Sequence, residues 1–503
     1  MSISRRNLLK YSALTGAGVV TGSAFGGLSS LNRVSAAGLA SGSRALAAGG
    51  PSSSGGFGPL VADPNGILDL PAGFTYQILQ RGGNNHTGDF TTYDDGVKVA
   101  GDADGAGSFA VGNGVVLVMN HELGPTEMDE AVPQTFGYSS VPTYDSLLAG
   151  GTSNIVLDAA GNVTSIYPSL AGTYSNCAGG VTPWGTWLTC EETESNGPSG
   201  MPHGYIFEVD PAGVKTDAKP YTAMGRFQHE AVAIDPGTSI AYMTQDNSRG
   251  LLYRFVPTDT SQQFGSLGNG GVLTAMKAAG LTRLGEVTTV GTTVSISWVP
   301  VPGGDADITG LAETFDDASV TRSTKLEGCW WGNGVLYFGS SYERVAGVEH
   351  HGQIWALDPA ASTITLVAYI PVDDPTFDSP DNITVTPWGG LMLCEDGDDE
   401  QYIVGVDVAT GECWAFGRNA MSSMNEFTGA NFSPDGSTMF VNVQNPSTTF
   451  AITGPWDGAP DPEIPEVPLN VLLPLTAAAV GVGALALNNR KKTSDLDEAP
   501  AGI

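Results

Sequence analysis

Basic residues are scarce in this sequence of 503 residues. It has 21 Lys and Arg against 53 Asp and Glu, a formal net charge of −32 at pH 7. Five of the basic residues lie in residues 1–48, which contain no acid, so the rest of the chain is still more acidic. Such a chain repels phosphate backbones and anionic lipid surfaces, which excludes a nucleic-acid binder that relies on counterion release. A surplus of carboxylates instead favours the binding of cations.

Cysteine is also sparse. The five cysteines of the chain cannot all pair, and their spacing matches no zinc ribbon. At least one cysteine is left over, as a free thiol or as a metal ligand.

Helical periodicity is nearly absent between residues 60 and 455, where short apolar runs alternate with turn residues. One sequence pattern recurs: an apolar run, a tight turn, a second apolar run and then polar or acidic residues. It occurs six times, at Gly112–Gly114, Pro183–Gly185, Asp235–Gly237, Gly332–Gly334, Pro387–Gly389 and Pro434–Gly436.

A second predicted hairpin follows several occurrences of this pattern, which gives four strands per repeat. The repeat predicts an all-β chain folded as a six-bladed β-propeller, with loop or helical insertions around residues 127–149 and 262–318. A pair of β-sandwiches with coincidental turns is the alternative. We expect a monomer.

The N-terminus has the layout of an export signal. A charged start containing Arg5 and Arg6 precedes a mildly apolar stretch and small-residue cleavage sites. The paired arginines resemble a twin-arginine signal, which makes the twin-arginine translocase an expected partner. A chance Arg-Arg pair is the alternative. We assign residues 1–48 to this signal and residues 50–456 to the propeller.

The C-terminus predicts attachment to a membrane. After a Pro-rich, acidic linker at 457–468, residues 469–489 form an uncharged stretch, and Arg490 opens a basic cluster. As a helix, this uncharged stretch has roughly the length that spans a bilayer. The basic cluster predicts that residues 490–503 are a short cytoplasmic tail. A core helix and a processed surface-sorting tail are the alternatives.

Polar residues gather next to the repeated turns. If the repeats are blades, the equivalent positions converge on the central channel, and carboxylates there repel one another unless cations neutralise them. The positions are Asn120–Glu122, Asn176–Cys177, Cys190–Glu192, His229–Glu230, Glu327, Asp381–Asn382 and Glu395–Asp396.

The ligand types indicate which metals would bind. Carboxylate and amide oxygens suit calcium and other hard cations, whereas a thiolate at Cys177 favours a transition metal. For Cys177 the alternative is a small buried apolar residue, and for each glutamate it is a solvated face. Neither His121 nor His229 belongs to a His-Glu-x-x-His zinc motif.

Several segments resemble PhoX-type alkaline phosphatases. These are Asn176–Glu192 (NCAGGVTPWGTWLTCEE), Gly225–Ala231 (GRFQHEA), Leu326–Gly328 and Ser379–Asn382, and the resemblance extends from about residue 60 to 455 in one order. It implies a six-bladed propeller that hydrolyses phosphomonoesters, and some diesters, outside the cytoplasm. It also implies a site that holds ferric iron and calcium.

The resemblance further implies roles for individual residues. Cys177 would bridge the irons, with further metal ligands at Glu192, Glu230 and Glu327. Glu122 and Asp381 would complete the calcium side. Cys177 and Glu327 would thereby take part in catalysis.

Lys325 marks a departure from the family. The family often has Arg two residues before the glutamate that corresponds to Glu327, where its fork can hold phosphate. Lys325 offers a point charge instead, and it is the candidate in this chain to hold phosphate and so take part in catalysis. This change keeps two alternatives open: a calcium-stabilised surface propeller that catalyses nothing, and a calcium-dependent lactonase or esterase. A lactonase site needs no thiolate, so Cys177 separates it from the phosphatase.

Overall fold

The computed structural model describes residues 56–86, 89–397, 399–423 and 425–456. The predicted signal at 1–48 and the predicted linker, membrane segment and tail at 457–503 lie outside these residues. None of the helices in the described part of the chain has the length and hydrophobicity that a membrane crossing requires.

The prediction of an all-β chain in a propeller-like arrangement is confirmed. The described residues form 28 strands, numbered here in chain order, and four short 3-10 helices. These helices are Thr222–Met224, Ser266–Asn269, Leu284–Glu286 and Leu311–Thr314.

Each of the six recurring turns joins two antiparallel strands, as predicted, and we call these pairs the six hairpins. The first is β4 (Ala103–Val111) with β5 (Gly114–His121). The second is β10 (Asn176–Val181) with β11 (Trp187–Glu191), and the third is β13 (His229–Ile234) with β14 (Ala241–Gln245). The fourth is β18 (Leu326–Gly332) with β19 (Val335–Ser340). The fifth is β22 (Pro380–Val385) with β23 (Leu391–Glu395), and the sixth is β26 (Phe427–Phe432) with β27 (Thr438–Val443).

Further strands extend four of these hairpins into sheets of their own. The first hairpin continues with β8 (Gly150–Leu157) and β9 (Val163–Thr173), and the second with β12 (Ile206–Val209). The fifth continues with β24 (Tyr402–Val406), β25 (Cys413–Asn419), β2 (Leu68–Pro71) and β1 (Leu60–Val61). The sixth continues with β28 (Thr448–Thr453) and then β3 (Thr75–Arg81), so strands from both ends of the described chain share one sheet.

The third and fourth hairpins share one nine-stranded sheet, which the repeat does not predict. They are extended by β15 (Tyr253–Pro257) and β16 (Gly271–Ala278), and by β20 (Gly352–Asp358) and β21 (Thr363–Ile370). Between them β17 (Thr293–Pro300) pairs with β16 on one side and β21 on the other. The segment 262–318, predicted as an insertion, therefore supplies β16 and β17 along with three of the short helices. The other predicted insertion, 127–149, holds the small hairpin β6 (Thr135–Phe136) and β7 (Ser139–Ser140).

Neighbouring first strands approach each other closely, and glycine makes this possible. A Cβ added to Gly180 of β10 would lie 1.7 Å from the carbonyl oxygen of Val232 in β13. A Cβ added to Gly105 of β4 would lie 2.5 Å from the Cα of Ala178. Apolar side chains fill the space between the sheets farther out, around residues such as Trp187 and Trp355, both fully buried. The hairpins therefore meet along their first strands, which brings the starts of these strands together.

Candidate metal centre

A β-bulge lies at the same place in the first strand of all six hairpins. The register shifts immediately after the first or second residue of each strand. A bulge re-aims side chains and is often found beside active sites. We call the second residue of each first strand the bulge position. In chain order its occupants are Asp104, Cys177, Glu230, Glu327, Asp381 and Thr428.

Two more positions repeat at the same end of the hairpins. The exit position directly follows the second strand and is occupied by Glu122, Glu192, Asp246, Ser341, Asp396 and Gln444. The entry position directly precedes the first strand and is occupied by Asp102, Ser175, Gln228, Lys325, Ser379 and Glu426. In five hairpins the exit residue's backbone N–H donates to the entry residue's carbonyl oxygen, over 2.9 to 3.2 Å. The three positions thus form one layer of acidic and polar side chains.

Ligand atoms in this layer fall into three groups, each with its atoms within 4.8 Å of one another. Shared residues link the groups into a chain. The groups are Cys177 with Glu192 and Glu230, Glu230 with Glu327 and Asp381, and Asp381 with Asp396 and Glu426. The first contains a thiol, whereas the third offers only oxygen.

The electrostatics of these groups show how strongly the acids oppose one another. Burial, followed by the charge of Asp246, raises the pKa of Glu192 well above its usual value. Burial, followed by Asp381, does the same to the pKa of Glu230. The pKa of Asp381 rises to about 7, through burial and then Asp396. The pKa of the Cys177 thiol is also raised well above its usual value, by burial and then by Glu230.

Lys325 is a basic side chain within this layer. Its Nζ lies 2.8 Å from Glu327 Oε1 and 3.0 Å from Asp246 Oδ2. Burial alone would lower the pKa of Lys325, but Asp246 and Glu327 outweigh it and raise this pKa well above its usual value. The amine is therefore an ammonium, and one positive charge cannot balance so many carboxylates.

Five of the six predicted metal ligands are brought together in the three groups: Cys177, Glu192, Glu230, Glu327 and Asp381. The sixth, Glu122, belongs to none of the groups found among the described residues. Its Oε2 accepts a hydrogen bond of 2.8 Å from Gln444 Nε2, which also donates to Asp104 Oδ2 over 2.8 Å. Glu122 thus lies in the same layer, next to Asp104.

Other polar residues picked out in the sequence point away from the groups. His121 contacts the Gly101 carbonyl oxygen and Ser153 Oγ, each at 2.7 Å. Glu191 accepts hydrogen bonds from the backbone N–H groups of Tyr174 and Gly204. His229 stacks on the Phe227 ring, with ring centroids 3.6 Å apart. These side chains support the loops around the layer.

Sequence reasoning assigned no role to Asp104, Asp246 or Glu426. Two of them occupy positions in the repeat that are equivalent to those of predicted metal ligands. Asp104 is the second residue of its first strand, as Cys177 is, and Asp246 follows its second strand as Glu192 does. Counting from the turns alone does not find them, because the number of residues between the turn and the strand end differs among the hairpins.

Four of the six entry residues have a left-handed backbone, which is uncommon for residues other than glycine. Their φ angles are 42° for Asp102, 49° for Ser175, 48° for Lys325 and 45° for Ser379. Such conformations cluster at functional sites, where the surrounding structure holds them in place.

The donor set fits metal ions of two kinds. Buried carboxylates with raised pKa values favour a cation that lets them ionise. The group with Cys177 offers one soft and two hard ligands, which suits a transition metal. The group of Asp381, Asp396 and Glu426 offers only carboxylate oxygen, which suits calcium.

The chain is similar to one protein family and to several solved structures. The family model described as alkaline phosphatase PhoX matches residues 55–163 and 149–447. Among solved structures, Pseudomonas fluorescens PhoX in complex with vanadate, a transition state analogue, superposes with a TM-score of 0.61 and 19% identity, covering 80% of this chain and 98% of that chain. A gluconolactonase from Xanthomonas campestris gives a TM-score of 0.38 and 12% identity, over 79% of this chain and 98% of that one. No curated protein matches the chain by sequence.

Proposed function

Because the chain belongs to the alkaline phosphatase PhoX family and is a phosphoric ester hydrolase, we propose that it hydrolyses phosphomonoesters, and some diesters, outside the cytoplasm with the help of iron and calcium. The observation that carries the metal dependence is the linked set of buried acidic groups from Cys177 to Glu426. The set contains six carboxylates and one thiol, and the ammonium of Lys325 pairs with one of them, Glu327, so cations are needed to complete the charge balance.

The two metals would be held by different parts of the set. Cys177, Glu192 and Glu230 would hold iron, with Glu327 and Asp381 linking this part to the next. Asp381, Asp396 and Glu426 would hold calcium, and Glu122 would complete the calcium side together with Asp104 and Gln444. When bound, these cations supply the positive charge that stabilises a transferring phosphoryl group and its leaving oxygen.

The protein's own residues would bind and orient the ester. Lys325 would donate to a phosphate oxygen, since its ammonium has three donors and two face Asp246 and Glu327. The backbone of Lys325 is left-handed, and its Nζ lies in the layer beside Asp246 and Glu327. Cys177 and Glu327 would contribute through the metals that they hold.

The fold that carries this site would be a six-bladed propeller. In support, six equivalent hairpins share one bulge position, and the nine-stranded sheet consists of two four-stranded units joined by β17. The strand β3, from the start of the described chain, completes the sheet of the sixth hairpin, a pairing that would close the ring.

Export by the twin-arginine translocase and membrane attachment through residues 469–489 belong to the same proposal. They rest on the sequence of the two ends alone. The protein would therefore be a monomer that acts on phosphate esters at the cell surface.

Elemental analysis of the purified protein, combined with p-nitrophenyl phosphate hydrolysis, tests the proposal. We expect iron and calcium in the protein, and hydrolysis that is lost with a chelator and restored by calcium. Hydrolysis that proceeds at full rate in a metal-free protein would overturn the metal dependence. Calcium without iron would return Cys177 to the role of a buried thiol.

A further inference from the structure

Asp246 is an acid of the layer that pairs with Lys325 from outside the three ligand groups. It occupies the exit position of the third hairpin, yet it is in none of the three ligand groups found among the described residues. Its Oδ2 instead lies 3.0 Å from Lys325 Nζ, on the fourth hairpin. Both side chains are mostly buried, with 17% and 21% of their surfaces exposed. A close ion pair with little water around it is screened only weakly by salt.

The loop that carries Asp246 also holds the backbone of Lys325. The carbonyl oxygen of Asn247 accepts a hydrogen bond of 3.0 Å from the Lys325 N–H. Asn247 is fixed in turn, since its Nδ2 donates to Gln228 Oε1 over 2.9 Å. One loop of the third hairpin therefore fixes both ends of the lysine, the main chain through Asn247 and the ammonium through Asp246.

We infer that Asp246 is a positioning residue. It holds the Lys325 ammonium where the third N–H of the ammonium can donate a hydrogen bond to a phosphate oxygen of the substrate. A lysine needs such a partner more than an arginine does. Its charge sits on a flexible four-carbon stem, whereas the planar arginine fork is already organised for phosphate. With carboxylate oxygens of Asp246 and Glu327 at 3.0 and 2.8 Å from Nζ, the stem loses its freedom before the substrate arrives. This inference rests on the proposed contact between Lys325 and phosphate.

Simple electrostatics predicts the opposite effect from positioning, which makes the inference testable. Asp246 is an anion close to the proposed phosphate site, so its removal alone would strengthen the binding of an anionic substrate. If Asp246 positions Lys325, its removal instead weakens substrate binding, because the ammonium then swings away. The direction of the change in KM therefore separates the two effects.

The experiment measures KM and kcat for p-nitrophenyl phosphate, and inhibition by inorganic phosphate, in the metal-loaded full-length protein. For Asp246→Ala we expect KM and the phosphate inhibition constant to rise about tenfold, the effect of losing one charge-assisted hydrogen bond. The loss should fall on KM more than on kcat, as when an interaction made in both ground and transition states is removed. Asp246→Asn keeps one oxygen acceptor and should lie between Asp246→Ala and the unchanged protein, and it also serves if the alanine variant does not fold.

Two further variants complete the design. Asp235→Asn alters a carboxylate of the same hairpin at its turn end, where Asp235 Oδ1 accepts from the Gly237 N–H, and it should leave KM unchanged. Lys325→Met should raise KM by itself, and adding Asp246→Ala to it should change KM little further, because the two residues then act as one unit.

Three results would overturn the positioning role: a lower KM in Asp246→Ala, an unchanged KM, or a loss of iron or calcium in both Asp246 variants, which would make Asp246 a metal ligand. If Lys325→Met raises KM and Asp246→Ala does not, only this inference fails. If Lys325→Met also leaves KM unchanged, the proposed phosphate contact fails with it.

Discussion

Glu191 and Glu192 are neighbours in the chain, yet their side chains serve opposite sides of the strand end. Glu191 is fully buried, and its carboxylate accepts hydrogen bonds from the backbone of Tyr174, Gly204 and Tyr205 and contacts His203 Nδ1 at 2.7 Å. Glu192 turns into the layer and joins Cys177 and Glu230. Alternation along a strand directs one carboxylate into the protein and the other into the layer, where we propose that it binds metal.

These two glutamates allow a matched prediction. Glu192→Gln removes a metal-binding charge, and we expect phosphatase turnover to fall by at least about 100-fold, with the fold retained. Glu191→Gln places an amide donor against backbone donors, and we expect a loss of roughly 2 kcal/mol in unfolding free energy, with metal retained. Elemental analysis, kinetics and thermal melting of both variants check this. A Glu192→Gln protein with full activity would remove Glu192 from the site.

Cys177 should be required for iron binding. Its Sγ lies 3.3 Å from the His229 carbonyl oxygen, within the group that contains Glu192 and Glu230. We expect Cys177→Ala to lose iron and phosphatase activity together, because the remaining carboxylates provide no soft ligand. Iron analysis and circular dichroism on the purified variant measure the two effects.

Cys329 is the matched control for Cys177. It is also a buried free cysteine on the first strand of a hairpin, but it lies two residues beyond the bulge position. Cys329→Ala should cost about 1 kcal/mol of stability and keep both iron and activity. Iron retained in Cys177→Ala, or lost equally in both variants, would contradict a specific role for Cys177.

Lys325→Arg should maintain or raise kcat/KM for a phosphate monoester. Arginine can present two parallel donors to phosphate, whereas lysine presents a single point charge. Asp246 and Glu327 lie close enough to Lys325 Nζ to pair with a guanidinium as well. Kinetics on the metal-loaded variant check the expectation, and Lys325→Met serves as the control that has the length without the charge. A complete loss of turnover in Lys325→Arg would show that Lys325 has a role other than phosphate binding.

The sequence predicted the hairpins well because each is a local feature. A turn between two apolar runs fixes which residues pair, and all six turns join strands as expected. Polar residues beside the repeated turns marked the candidate positions, and the resemblance of segments such as Asn176–Glu192 to a known family implied which of them would bind metal.

The shared nine-stranded sheet and the remaining acids of the layer were not predicted, because they depend on contacts between residues far apart in the sequence. The pairing of β17 with β21 brings Thr293 opposite Thr365, a separation that no local pattern reveals. Asp246 was not assigned a role because it follows Gln245 rather than a second acid, and Glu426 because its hairpin has Thr428 at the bulge position. Aligning the hairpins by their strand ends, instead of by their turns, would have found Asp246.

Calcium removal should lower thermal stability. Without a cation, the carboxylates of Asp381, Asp396 and Glu426 repel one another, and Glu426 is buried. A ligand that binds only the folded state stabilises it by about 2.7 kcal/mol at 100 times its Kd. We therefore expect EGTA to lower Tm by about 5 °C or more, and excess calcium to restore it.

Asp381→Asn tests whether this loss comes from the proposed site. The variant removes one of the repelling charges and one calcium ligand together, so its Tm should respond less to EGTA and to added calcium. Asp358→Asn, at the end of β20 where the Asp358 carboxylate accepts from the Ala360 N–H, should respond as the unchanged protein does. If EGTA shifts Tm equally in all three proteins, the stabilising calcium binds elsewhere, because only the proposed site connects Asp381 to the metal.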